Sequence, residues 1–354
     1  MVQERDLMLA GAMTDPKGHR AKRPADQEDP DQFVRVVERR EDGVVIRGAK
    51  LHNTGGINSH EILVLPGTGL KEDEKEYAII CAVPADAEGV LFIFGRQSND
   101  SRKMEGCGMD VGNPRFGVVG GEAMVVFEDV FVPNDRVFMN GEVEQCGQMV
   151  NHFATWHRAN YGACKGGNAD VLIGATAKTT KILGTDRNPI VRDKLIEMIH
   201  LTETSYGTAI ASAAQGHKLP CGAQMVNPML ANVTKQNITR NIYAVGRLAH
   251  DLAGGYLATL LDEAAIENPE IGKYVEKYYV ANPEFDVKDR IKMGRYIENM
   301  TSVTTMVEAV HVAGSPQAQR IVMFGQAEVG KKIKMAEEVI DGEGDVEGIS
   351  LNRK

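Results

Sequence analysis

The sequence predicts an α+β chain, with a β part closed as a barrel or sandwich over residues 1–140 and a helix bundle over 141–354. Two patterns predict it. Up to Pro133 the chain carries short runs rich in Val, Ile and Phe at roughly ten-residue spacing, punctuated by Gly, Pro, Asn and Asp. From about Val143 the turn residues thin out and apolar residues recur every three or four positions. The length of 354 residues suits two or three domains at about 150 each.

In order, the predicted strands are Phe33–Arg39, Gly43–Lys50, Glu61–Leu65, Tyr77–Val83, Val90–Gly95 and Ala123–Phe131. Helices are predicted near 143–182, 189–215, 224–251, 286–312 and 316–328, on apolar stripes such as Leu195, Met198, Ile199 and Ile242, Val245, Leu248, Leu252. Gly254-Gly255 and the stretch 268–286 interrupt them. The charged run Lys71–Glu76 and the polar tail 341–354 read as solvated loops, and 22–32, with two prolines, as a surface connection.

Composition excludes several function classes. A net charge of −9 gives no basic field for nucleic acid or anionic lipid. Apolar runs such as Tyr77–Val83 fall well short of the ~20 residues of a spanning helix, and the start has no export signal. Five cysteines, at 81, 107, 146, 164 and 221, are odd in number and contain no CxxC or CxxxC, which suits a reducing, cytoplasmic setting. No GxGxxG opens a helix after a strand and no GxxxxGK[ST] is present, so dinucleotide-fold and phosphate-loop readings fall away.

The segment 152–167, HFATWHRANYGACKGG, is the most unusual in the bundle half. His157, Tyr161 and Cys164 stand at i, i+4 and i+7, on one helix face, with His157 and Cys164 ~10.5 Å apart along the axis. That separation is too long for one tetrahedral zinc but can be spanned by a compact iron cluster whose different irons each take one ligand. The plain alternative is a packed cysteine and a hydrogen-bonded histidine. In the β half, GAMTDPKGHR at 11–20 and GAKLHNTGGIN at 48–58 put hydroxyl and amide groups into turns that suit a flat heteroaromatic ring or a phosphate, or are ordinary hairpin connections. Glu122, Glu298 and Glu308 each lie in apolar surroundings, where a carboxylate must find a cation or hold its proton.

Taken together, AGAMTDPKG (10–18), REDGVVIRGAKLHNTGGINSHE (40–61), GRQSNDSRKME (95–105), VVFEDVFVPNDRVF (125–138), FATWHRANYGACK (153–165), LANVTKQNITR (230–240) and HVAGSPQAQR (311–320) resemble the 4-hydroxybutyryl-CoA dehydratases. These belong to the wider 4-hydroxyphenylacetate 3-hydroxylase family, with an acyl-CoA dehydrogenase-like fold. The likeness implies FAD and a 4Fe-4S cluster as cofactors, an acyl-CoA substrate and a homotetramer. It implies His157 and Cys164 as cluster ligands, and Tyr161, Lys165, Glu122 and Glu308 as catalytic residues. It implies a flavin cradle from Met13, Thr14, Pro16, Lys50, His52, Asn53, Thr54 and Asn58. The family's reaction converts 4-hydroxybutyryl-CoA to crotonyl-CoA, in some members with vinylacetyl-CoA isomerisation. Flavin radical chemistry makes the otherwise inert β-hydrogen acidic, and a cluster iron acts as Lewis acid on the departing hydroxyl. The resemblance further implies that two more cluster ligands, spaced CxxxC in an N-terminal helical domain, lie outside this chain. A separate N-terminal polypeptide would then complete it and cover its apolar surface. The competing readings are an FAD-dependent aromatic hydroxylase and a non-catalytic FAD-binding subunit.

Overall fold

A computed structural model describes residues 2–94, 97–98 and 122–341; Cys107, the end of the predicted strand Val90–Gly95 and the tail beyond 341 lie outside them. The first half holds β1 (Leu9–Ala12), β2 (Arg35–Arg39), β3 (Gly43–Thr54), β4 (Glu61–Val64), β5 (Ile79–Pro84), β6 (Val90–Ile93), β7 (Glu122–Pro133) and β8 (Val137–Asn140). They form two four-stranded sheets, ordered β1-β4-β5-β8 and β2-β3-β7-β6. Among the described strands β1 and β4 pair in parallel and the other pairs are antiparallel. The described residues therefore make a sandwich rather than a closed barrel. Ile62, Val64 and Ile79 from the first sheet meet Ile46, Val125 and Phe127 from the second in one buried core. β1 and β8 are the strands that sequence periodicity misses, each only four residues long.

The long β3/β7 pair carries two irregularities. Inward residues on β7 run Ala123, Val125, Phe127 and then Val130, Val132, a change of parity that a bulge must absorb. Register slips between Ile46 and Gly48, and Asp129 takes φ 53°. Gly48 is needed here, since at φ 129° a Cβ would stand 2.5 Å from the Phe33 carbonyl oxygen. A second slip between Lys50 and Asn53 puts His52 at φ 57° and buries Asn53.

The second half contains α1 (Val143–Ile182), α2 (Pro189–Ala214), a small hairpin of β9 (His217–Lys218) and β10 (Gln224–Met225), and α3 (Pro228–Ala253). There follow α4 (Glu263–Glu267), α5 (Gly272–Tyr278), α6 (Val287–Met300), α7 (Val303–His311), α8 (Pro316–Gln326) and α9 (Val329–Asp341). Side chains of Asn188, Asn227 and Ser315 cap the starts of α2, α3 and α8, each followed by proline at the first helical position. The predicted helix over 286–312 is two helices. Ser302 accepts from the Thr305 amide and starts α7 afresh, although the apolar period runs on. The predicted start at 224 is also too early, because 217–225 forms the hairpin. Lys71–Glu76 is not a solvated loop: Glu74 is buried and ion-paired to Arg23.

α1, α2 and α3 pack on one another, and α3 also packs on α7 and α8. Gly162 lets them approach, since a Cβ there would stand 2.4 Å from Ala209 and 2.6 Å from Thr234. No described helix is long and apolar enough to cross a membrane.

Candidate active site at the junction of sandwich and bundle

The middle of α1 brings the predicted residues together. Tyr161 and Lys165, one turn apart, are buried and face α7. Lys165 Nζ lies 2.9 and 2.8 Å from the two carboxylate oxygens of Glu308. The Tyr161 hydroxyl donates to Glu308 Oε1 at 3.2 Å and lies 3.4 Å from its backbone oxygen. Burial, and then the Glu308 charge, push the phenol's pKa up, so it stays a donor. His157, one turn earlier, stands edge-on between Phe153 and Tyr161, with ring centroids at 5.8 and 5.3 Å. Burial, reinforced by the Lys235 charge, pulls its imidazole down to about 4, so it is neutral near pH 7. Cys164 is a free, exposed thiol. Among the described residues no three His, Cys, Asp or Glu side chains gather as a metal site. Among the described residues, then, no third such side chain joins His157 and Cys164.

From the sandwich side, Glu122 begins β7 opposite Thr54, whose hydroxyl donates to Glu122 Oε1 at 2.6 Å. Burial raises the Glu122 carboxyl above its ordinary range. Glu308 pushes in the same direction, while Thr54 and Lys165 oppose. Glu122 Oε2, Asn53 Oδ1 and Gln97 Oε1 are buried with no hydrogen-bond partner among the described residues. They sit close along the chain and ladder: Asn53 pairs with Ala123, and Gln97 Nε2 donates to the Glu122 carbonyl at 2.8 Å. Ser98 in turn joins α7, exchanging hydrogen bonds with Thr304 at 2.8 and 3.0 Å.

Among the predicted cradle residues, Lys50 is inward and saturated. Its Nζ donates to Asp15 Oδ1 at 2.6 Å, the Leu65 carbonyl at 2.7 Å and the Met13 carbonyl at 3.2 Å. It shapes the Met13–Pro16 turn rather than offering a free donor. The Thr14 carbonyl accepts from the Leu51 amide at 2.7 Å, so this turn and the bulged end of β3 are one unit. His52 and Asn58 are exposed on the loop side. Partial desolvation of the otherwise exposed His52 lowers its pKa, with Lys17 and His311 adding repulsion, so β3 and the end of α7 share one electrostatic neighbourhood.

Three residues of this region are not singled out by the sequence. Arg158 is buried and donates to the Ala313 carbonyl at 2.9 Å and to Asn232 Oδ1 at 2.7 Å. Lys235 is buried with its ammonium 4.2 Å from the Tyr161 ring centroid. The available signal was Asn232 and Lys235 at i, i+3 on the side of α3 where Ala231 and Ile238 are buried.

The comparisons with known proteins bear on this arrangement. Residues 1–139 match the profile described as 4-hydroxyphenylacetate 3-hydroxylase N terminal, and 146–341 the corresponding C terminal profile. The chain is 46% identical over 351 residues to the 4-hydroxybutyryl-CoA dehydratase/vinylacetyl-CoA-Delta-isomerase of Clostridium aminobutyricum, spanning 96% of this chain and 71% of that one. The chain belongs to this dehydratase family, within the 4-hydroxyphenylacetate 3-hydroxylases. It is thus an enzyme of lyase type. An oxygen-tolerant archaeal 4-hydroxybutyryl-CoA dehydratase from N. maritimus superposes with TM-score 0.93 at 45% identity, over 98% of this chain and 69% of that one. The oxygenase component of 4-hydroxyphenylacetate 3-monooxygenase, solved with FAD, shares the fold at TM-score 0.82 and 22% identity, covering 96% of this chain and 72% of that one. The likeness to acyl-CoA dehydrogenases is more distant: butyryl-CoA dehydrogenase from Megasphaera elsdenii superposes at TM-score 0.56 and 14% identity.

Proposed function

We propose that this chain dehydrates 4-hydroxybutyryl-CoA to crotonyl-CoA, and isomerises vinylacetyl-CoA, with FAD and an iron–sulfur cluster as cofactors. The observation that carries the reading is the Tyr161–Lys165–Glu308 group, held on the same stretch of α1 as a neutral His157 and an open Cys164. The 46% identity to a protein named for both activities supports it.

The substrate's α-hydrogen is acidified by the thioester, whereas the β-hydrogen is not and the γ-hydroxyl leaves poorly. Acid–base residues alone therefore do not suffice. FAD, when bound, supplies the one-electron chemistry. Asn53 Oδ1 and Gln97 Oε1 lack donors among the described residues, and a flavin ring and its ribityl chain carry N–H and O–H groups; Glu122 Oε2, which bears the carboxyl proton, can donate to the flavin's acceptors. The cluster would supply a Lewis acid for the hydroxyl, held on this chain by His157 and Cys164. Those are two ligands of a set that the described residues do not complete.

What the chain's own groups do follows from their state. His157, uncharged, has one lone-pair ring nitrogen, which can accept the α-proton only while it is not bound to iron. Glu308, bonded at both oxygens by Lys165, accepts from Tyr161, so the phenol is aimed, and burial keeps it protonated. Glu122, with its pKa raised, is positioned to carry the second proton. The exposed stripe Ile196, Ile199, Tyr206, Ile210 on α2 supports assembly with further subunits, in keeping with a homotetramer.

The test is anaerobic purification followed by assay of crotonyl-CoA formation, iron and sulfide. Wild-type turnover with iron present, falling by roughly 10²- to 10⁴-fold in His157→Ala, is the expected result. Full turnover in His157→Ala would remove His157 from the mechanism, and hydroxylation of a phenol by reduced FAD and oxygen without iron would replace the dehydratase reading with a monooxygenase one.

A further inference from the structure

A fully buried ammonium, Lys235 of α3, has no carboxylate among its hydrogen-bond partners. Such a charge is costly to desolvate, and an apolar side chain of similar length would fill the space at lower cost. Its donors run instead to the carbonyls of Ala309 and, at 3.4 Å, Val310, in the last turn of α7. Carbonyls there lack helical partners and carry the negative end of the helix dipole, so they accept from the amine and partly offset the cost of burying its charge. Glu308 immediately precedes Ala309. The same ammonium lies 4.2 Å from the centroid of the Tyr161 ring, whose hydroxyl meets Glu308 Oε1. One cation therefore touches both halves of that contact: the backbone beside the carboxylate and the face of the phenol.

Lys165 makes a different use of its charge, bonding the carboxylate itself and standing farther from the ring, at 5.3 Å. We propose that Lys235 is a positioning residue, fixing the angle and separation between the Tyr161 hydroxyl and the Glu308 carboxylate. Its effect on turnover rests on the functional reading above; its effect on Tyr161 does not. The 3.2 Å phenol–carboxylate bond is long enough that a small rotation of α7 or of the ring would break it.

The experiment compares full-length Lys235→Met and Lys235→Arg with wild type, using tyrosine labelled with carbon-13 at Cζ. The Tyr161 resonance is assigned by its loss in Tyr161→Phe. In Lys235→Met the Tyr161 resonance is expected to move, and kcat to fall roughly 10- to 100-fold with KM within about threefold. Lys235→Arg, which keeps the charge, is expected to recover part of both. The proposal is overturned if the resonance stays in place, or if kcat remains within about twofold of wild type or falls only as far as the folded fraction does. Should Lys235→Met not fold, Lys235→Arg decides: an altered resonance with intermediate kcat supports the proposal and wild-type values sink it. Should the wild-type chain not dehydrate, the functional reading fails, while the resonance alone still tests the placement of Tyr161.

Discussion

The two most deeply buried lysines, Lys50 and Lys235, one in each half of the molecule, are treated in opposite ways. Lys50 in the sandwich sets three donors against three acceptors, one of them the Asp15 carboxylate at 2.6 Å. Lys235 in the bundle has carbonyls and a ring face but no acid, and burial followed by the nearby Lys165 charge pulls its pKa to about 7. The same contrast extends to their surroundings. The sandwich interior is aliphatic and aromatic, with its lysine answered inside the chain. Beside the Lys165–Glu308 pair, the α1–α3–α7 junction and the adjoining end of β7 hold two cations bonded to no acid, Arg158 and Lys235, and oxygens without donors among the described residues. A region whose charges are all satisfied internally contributes stability. A region left unbalanced at a cost of desolvation is kept for something that binds.

The largest expected effect that tests this contrast is on activity. Glu308→Gln removes the charge facing Lys165 and the strong acceptor of the Tyr161 hydroxyl, and crotonyl-CoA formation is expected to drop by roughly 10²- to 10⁴-fold. The Glu308 side chain is 24% exposed, so folding should survive. In the sandwich the expectation is reversed. Phe127→Ala at a fully buried position is expected to cost about 3–5 kcal/mol in urea unfolding while KM of the folded fraction holds. Lys50→Met leaves Asp15, still 19% exposed, without its cation, and about 2–3 kcal/mol is expected by the same measurement. If Glu308→Gln unfolded the chain while Lys50→Met left it unchanged, the division of labour argued here would be wrong.

The sequence revealed the two halves because each is written in its own period: alternation in strands such as β5, and three- to four-residue spacing in α1 to α3. It revealed helix starts where proline follows a capping side chain, as at Asn188-Pro189 and Ser315-Pro316. It did not reveal the break at Ser302, because a serine cap leaves the apolar period intact. Nor did it reveal β1 and β8, which are too short to show alternation. For the site, residues on one helix were legible, since i, i+4 spacing alone places Tyr161 beside Lys165. That Glu308 closes on them across 143 residues came from resemblance to a family, not from pattern. Lys235 and Arg158 escaped because a charged side chain inside a helical sequence reads as solvent-facing until its neighbours across the interface are known.

The smallest expected effect concerns Glu122, where the two halves meet. Burial raises its folded-state pKa, so the folded chain keeps this proton to higher pH than the unfolded chain does. Between the ordinary carboxylate value and that raised value, the native state binds more protons, and stability must fall as pH rises through the window. The contribution is fully present below the ordinary range and gone above the folded-state value. Glu122→Gln has no proton to lose. It keeps an oxygen for the Thr54 hydroxyl and puts an amide where Oε2 has no partner. The variant should therefore match wild type in urea midpoint near pH 4 and exceed it near pH 8, by less than about 1 kcal/mol because part of the side chain is solvated. A wild-type midpoint that rises across the same interval relative to the variant would mean that Glu122 is held as an anion by a cation. The unpaired Oε2 would then be answered by that cation rather than left open to a ligand, and the contrast between a saturated sandwich and an unsaturated junction would lose its clearest member.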